Sequence, residues 1–168
     1  MMNENITKGI AIVPGSFDPI TYGHIDIIRR ASERYDKVYV AVMINDQKQY
    51  MLTIDQREHI ARIALSDIPN VEVISSTGML WELAKSLDAV AIVKGYRNQT
   101  DYDYEIKMAE YNAERNPKAK TVLLKANDSL DSLSSTLVRQ KILNGENIDG
   151  LLPPTAISEL KVILNKFS

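Results

Sequence analysis

Short apolar runs alternate with longer amphipathic segments from one end of this chain to the other. Ile10 to Val13, Lys37 to Met43, Val71 to Ser75, Ala89 to Val93 and Thr121 to Lys125 are compact and rich in strand-forming residues, which marks them as strands. Between them apolar positions recur at helical spacing. In the first such segment Ile25, Ile28 and Ala31 share one side, while Asp26, Arg29, Arg30 and Glu33 point elsewhere. Helices are predicted over Gly23 to Tyr35, Thr53 to Leu65, Met79 to Ser86 and Tyr102 to Arg115, with two more near Ser135 to Leu143 and Thr155 to Lys166. Thr53-Ile54-Asp55-Gln56 carries a capping-box pattern at the start of the second. Parallel strands need crossovers, and crossovers are overwhelmingly right-handed. The alternation therefore predicts an α/β fold: a Rossmann-like, doubly wound open sheet of about five parallel strands with helices on both faces.

Ligands of such sheets bind beyond the carboxyl ends of the strands. Polar and glycine-rich sequence collects at those ends: Gly15-Ser16, Asn45-Asp46-Gln47-Lys48, Thr77-Gly78, Lys94-Gly95-Tyr96-Arg97 and Asn127-Asp128-Ser129. Loops anywhere draw such residues. The cations that accompany them tip the reading towards an anion-binding edge.

The first of these ends is the richest. Pro14 can supply no ladder hydrogen bond, Gly15 admits close backbone approach to a ligand, and Ser16 adds a small hydroxyl. A helix starting near Gly23 brings free N–H groups and the positive end of its dipole, with His24 beside them. The plainer alternative is a strand, a capping turn and a half-buried histidine. Lys94 and Arg97 bracket Gly95 after an apolar strand, offering a phosphate a point charge, a planar fork and an accessible backbone. Lys48 stands five residues before the capping box, where a mobile surface lysine is an equal alternative.

The whole run Gly15-Ser16-Phe17-Asp18-Pro19-Ile20-Thr21-Tyr22-Gly23-His24 resembles the signature of the nucleotidyltransferase superfamily, with Thr21-Tyr22-Gly23-His24 as its H/T-x-G-H element. Within that superfamily it is similar to the phosphopantetheine adenylyltransferases. Later motifs follow in order. Lys94-Gly95-Tyr96-Arg97 resembles [IV]-R-G-[LIV]-R, with Lys94 where arginine is common and Tyr96 where an aliphatic is common. Asp101 to Glu105 is similar to D-[FY]-x-x-E, and Leu130 to Arg139 resembles I-S-S-[ST]-x-[VIL]-[RK], although the aromatic often found near Leu130 is missing. The resemblance implies transfer of an adenylyl group from ATP to 4'-phosphopantetheine. It implies catalytic roles for Ser16, His24, Lys48 and Arg97, and acceptor contacts from Ser16, Lys48, Leu80 and Lys94. ATP contacts are implied for Ser16, Phe17, His24, Gly95, Tyr96, Arg97, Glu105 and the stretch Leu130, Asp131, Ser132, Leu133, Ser134, Ser135 and Thr136. Mg²⁺ is expected to arrive with ATP rather than at a dedicated protein site. Helix capping is a sufficient structural role for one of the Ser134 to Thr136 hydroxyls, and dipole stabilisation for Asp101 and Asp103.

Composition narrows the alternatives. At 168 residues and 45% hydrophobic content the chain suits one domain, 1–168, without repeats or linker-like tracts. Twenty basic against twenty-two acidic side chains leave a net charge of −2, which speaks against a protein that coats nucleic acid or an anionic membrane. Without cysteine there is no disulfide framework or thiolate metal site. The N-terminal residues show no apolar signal-peptide core, and no segment approaches the roughly 18 apolar residues of a membrane span. A cytoplasmic enzyme is expected, and the resemblance implies a homohexamer. Two other readings stand beside this one: another small nucleotidyltransferase, such as a cytidylyltransferase or a nicotinamide mononucleotide adenylyltransferase, and a catalytically silent module that binds ATP or coenzyme A.

Overall fold

A computed structural model describes residues 7–165. Five strands, β1 (Thr7–Gly15), β2 (Tyr35–Met43), β3 (Val71–Ser76), β4 (Ala91–Tyr96) and β5 (Lys120–Lys125), form one parallel sheet in the order β3-β2-β1-β4-β5. The order reverses between β1 and β4, which makes that junction the switch point where an open α/β sheet binds its ligand.

Side chains alternate faces along every strand, and the core divides accordingly. Ala11, Val13, Val38, Val40, Val42, Val73, Ala91 and Val93 enter the larger cluster, roofed by α1 (Tyr22–Ser32), α2 (Ile54–Ala64), α5 (Ser135–Leu143) and α6 (Pro154–Leu164). Ile12, Ala41 and Ile92 face a smaller cluster closed by Leu80, Leu83 and Ala84 of α3 (Leu80–Ser86). Beside α3 and β5 runs α4 (Gln99–Arg115), in which Asn112 alone is buried. A short 3-10 turn at Asp128–Leu130, absent from the expectations, leads towards α5.

Several boundaries differ from the sequence expectation, each for a local reason. The first helix stops at Ser32 instead of Tyr35, because Tyr35 is buried and already pairs with β1. Asn98 starts α4 three residues early, its Oδ1 accepting from the Asp101 N–H at 2.9 Å. The fourth strand begins at Ala91 and continues through Lys94, Gly95 and Tyr96, which pair with Leu123, Leu124 and Lys125. These polar residues are therefore the last rungs of a strand and not the loop beyond it. The last helix is traced to Leu164, and the expected end at Lys166 lies outside the described residues.

Pro14 sits inside β1 and not at its end, paired with Ala41. The Ile10 carbonyl accepts from the Val90 N–H at 2.8 Å, so by two-residue alternation Pro14 also turns its backbone towards β4. Registered pairing of β1 with β4 is confined to Ala11 with Ala91 and Ile12 with Ile92. Pro14 thus lacks a donor only where β4 has already splayed away, and the wedge between the two strands becomes a cleft.

Candidate active site at the split between β1 and β4

The cleft encloses about 760 Å³. Ser16 and Phe17 reach it from the end of β1, His24 from the first turn of α1, Lys48 from the turn after β2, and Leu80 from the start of α3. Lys94, Gly95 and Tyr96 line it from β4, followed by Arg97 and by Glu105 of α4. The last wall is Leu130, Leu133, Ser134, Ser135 and Thr136. Of the residues singled out in the sequence, Asp131 and Ser132 stay outside this lining, exposed in the bend before α5.

His24 is held by a capping box in which it stands where Glu or Gln is usual. The Thr21 hydroxyl caps α1, accepting from Gly23 N–H at 3.2 Å, and the Thr21 N–H donates to Nδ1 of His24 at 3.0 Å. With Nδ1 accepting, the ring proton is assigned to Nε2. Burial, with Arg97 adding to it, lowers the pKa of His24 to about 4. The imidazole is therefore neutral near pH 7 and can still donate. Phe17 packs edge-on to it, ring centroids 5.1 Å apart, and lies so tightly over Gly15 that a Cβ there would meet its ring at 2.9 Å. To do so Phe17 adopts φ +50°, a conformation costing on the order of 1 kcal/mol or more outside glycine.

The cations differ in freedom. Lys94 is matched by Glu105, with Nζ 2.7 Å from Oε2, and both side chains are largely buried. The same Oε2 has no aligned hydrogen-bond donor, so the pairing is electrostatic contact. Arg97 gives both its Nε–H and its backbone N–H to Oδ2 of Asp101, each at 3.1 Å. Lys48 is exposed on a turn closed by its N–H to the Asn45 carbonyl at 2.9 Å.

Each hydroxyl of the α5 start has a partner. Ser134 caps the helix by accepting from Leu137 N–H at 3.1 Å, Ser135 donates to the Pro19 carbonyl at 2.8 Å, and Thr136 accepts from Arg139 at 3.0 Å. One serine caps, as the sequence allowed, and the second fastens α5 to the loop after β1.

Four residues given no contact of their own in the sequence analysis, three of them inside its motifs, hold the walls of the cleft together. Arg139 lines the cleft and donates to the Asp18 carbonyl at 2.9 Å; its spacing of three from Thr136 on a helix was the available signal. Asp18 is buried, with its carboxylate accepting from Met51 and Leu52 N–H at 2.9 and 3.0 Å. Thr21, three residues before His24, matched half a capping box. Arg57 is buried and donates to the carbonyls of Ser16 and Met43, and nothing in its amphipathic context marked it. Among the described residues no group of three or more His, Cys, Asp or Glu is placed to hold a metal ion, and none of the helices is long and apolar enough to cross a membrane.

The cleft gathers cationic, hydroxyl and backbone groups that could hold phosphates around a fixed neutral histidine, and comparison with known proteins bears on which family the chain belongs to. A family model described as cytidylyltransferase-like matches residues 12–141. A phosphopantetheine adenylyltransferase of Clostridium tetani is 40% identical over 151 residues, covering 90% of this chain and 94% of its own length. That of Caldanaerobacter subterraneus subsp. tengcongensis is 41% identical with the same coverage. That of Rhizorhabdus wittichii is 37% identical over 155 residues, covering 92% of this chain and 94% of its own length. At that identity along nearly the whole length of both partners, the chain belongs to the phosphopantetheine adenylyltransferase family of cytidylyltransferase-like proteins.

Proposed function

We propose that this chain transfers the adenylyl group of ATP to 4'-phosphopantetheine, releasing pyrophosphate and forming 3'-dephospho-coenzyme A, a step of coenzyme A biosynthesis. The observation that carries the reading is that His24, Lys48, Lys94 and Arg97, drawn from three separate stretches, line one cleft. An oxygen of the acceptor phosphate attacks the α-phosphorus of ATP, and the bond from that phosphorus to the bridging β-oxygen breaks. The nucleophile is already anionic, so no general base is required. Catalysis is then positioning and charge stabilisation.

In this scheme Lys48 and Lys94 hold the acceptor phosphate, Leu80 borders its pantetheine arm, and Ser16 lies between the substrates. His24 donates from Nε2 to the pentavalent centre. Arg97, Gly95 and the first turn of α5 from Ser134 to Thr136 take the departing phosphates, while Phe17, Tyr96, Glu105 and the stretch Leu130 to Leu133 border the nucleotide. Nucleotidyl transfer from ATP generally requires a divalent cation. Here Mg²⁺ carried on the phosphate oxygens suits a cleft in which Glu105 and Asp101 are already committed to Lys94 and Arg97. The enzyme works in the cytoplasm as a homo-oligomer, a hexamer by family resemblance.

Incubation with ATP and each candidate acceptor, followed by pyrophosphate release, tests the reading. Turnover with 4'-phosphopantetheine and none with nicotinamide mononucleotide or a phosphorylated alcohol is expected. Tight ATP binding with silence towards every acceptor would replace it with a regulatory module.

A further inference from the structure

We propose that Arg57, which does not line the cleft, is a positioning residue that fixes the distance between the nucleotide side and the acceptor side of the site. This rests on the roles given above to Ser16 and Lys48. One guanidinium nitrogen, Nη1, donates to the Ser16 carbonyl at 2.8 Å and to the Met43 carbonyl at 3.1 Å. These carbonyls lie where the chain leaves β1 and β2. The guanidinium carbon also stands 3.9 Å from the centre of the Tyr50 ring. Tyr50 in turn accepts the Asn45 N–H at its hydroxyl at 2.7 Å, and the Asn45 carbonyl accepts the Lys48 N–H at 2.9 Å. An unbroken series of contacts thus runs from Ser16 through Arg57, Tyr50 and Asn45 to Lys48.

Stability alone does not account for a cation here. Arg57 is 1% exposed, and burial pulls its proton affinity down against the attraction of Tyr50 and Asp18. Its Nε–H finds no partner among the described residues. A whole buried polar pair can be exchanged for apolar residues at little cost, but an apolar residue at position 57 alone would leave the Ser16 and Met43 carbonyls without this donor. What an apolar side chain could not do is bind two carbonyls and an aromatic ring from one rigid plane. Asp18 makes a second tie between the same two loops through Met51 and Leu52, so Arg57 acts where the loops are already joined and adds the contact that reaches Tyr50 and the Lys48 turn.

The test compares Arg57→Lys, Tyr50→Phe and Lys48→Ala in steady-state kinetics with ATP and 4'-phosphopantetheine, alone and in pairs, with thermal melting of each. Arg57→Lys keeps the charge and loses the plane; it should lower kcat about tenfold or more, since a displacement near 1 Å can cost two orders of magnitude. Tyr50→Phe keeps the ring on Arg57 and frees the Lys48 turn. It should raise KM for phosphopantetheine by about threefold or more and leave KM for ATP nearly unchanged, and this increase should vanish when Lys48 is already Ala. Arg57→Lys with kcat within about twofold of the parent, or Tyr50→Phe and Lys48→Ala effects that simply multiply, would overturn the proposal while leaving the function intact. Should Arg57→Lys fail to fold, Arg57→Gln, which keeps an N–H donor for the carbonyls, takes its place under the same kcat criterion. Lys48→Ala without any effect on KM for phosphopantetheine would instead overturn the role of Lys48, and this proposal with it.

Discussion

With Nδ1 taken by the Thr21 N–H and its pKa lowered to about 4, His24 can offer Nε2–H to a phosphate as a neutral donor. Replacing it with Ala should lower kcat by on the order of 100-fold while the fold survives, as far-UV dichroism and melting would report. Unchanged turnover would remove the imidazole from the chemistry. The titration has a signed consequence for stability. An unfolded histidine binds its proton near pH 6.5, whereas the folded one resists until about 4. Stability is therefore fully present above pH 6.5 and is lost as pH falls through about 4, by about 3 kcal/mol at most over the window. Urea midpoints measured between pH 7 and 4 should fall less steeply for His24→Gln than for the parent chain. Lys94 provides a separate check, because it is assigned to the acceptor phosphate while its ammonium also touches Glu105 on the nucleotide side. Lys94→Ala should raise KM for phosphopantetheine more than KM for ATP, and the reverse order would mean that the two phosphate positions are exchanged.

Between elements, the site depends on how closely α1 can approach β4. Gly95 is the contact: a Cβ there would lie 2.9 Å from Cγ1 of Ile27, and Ile27 is buried. Gly95→Ala should cost about 1–3 kcal/mol of stability through overpacking. It should also lower kcat, because α1 can yield only by carrying His24 with it. A melting temperature and turnover both equal to the parent's would show that the helix has slack. This contact illustrates what the chain's sequence could and could not tell. Helix α2 was legible to its caps, since the Thr53 and Gln56 side chains form the reciprocal bonds that their spacing announces, at 3.1 and 3.0 Å. Helix α5 was legible too, from apolar spacing after a hydroxyl cap. Strand β4 was misjudged by three residues at its end, because Lys94 and Gly95 have poor strand propensity. Pairing with Leu123 and Leu124 overrides that preference. Local sequence announces caps; it does not announce a neighbour's ladder.

For the molecule as a whole, the alternation of runs was enough to imply parallel strands and crossovers, and the ends of those strands were enough to name most of the residues that line the cleft. The opening itself was not legible. It depends on β1 and β4 ceasing to pair after Ile12 and Ile92, a long-range property to which Pro14 contributes only by lacking a donor on that side. Nor was the support beneath it, since Asp18 and Arg57 become meaningful only when loops from β1 and β2 are folded together. The two faces of the sheet are covered unequally. Four helices roof the larger cluster, whereas the smaller has α3 with α4 alongside, and α4 buries only Asn112 across Gln99–Arg115. Met79 before α3 and Tyr111 of α4 are 44% and 36% exposed, and a second copy docked on this thinly covered face would bury them. Equilibrium sedimentation of the intact chain should therefore give a multiple of 18.9 kDa, six-fold if the family resemblance extends to assembly. Tyr111→Glu places a charge on this face and should shift the mass downwards as protein is diluted. A parent chain that sediments as a single 18.9 kDa species at every concentration would show that the thin covering of this face is sufficient by itself. A variant that keeps the full assembly would move the contact to another surface.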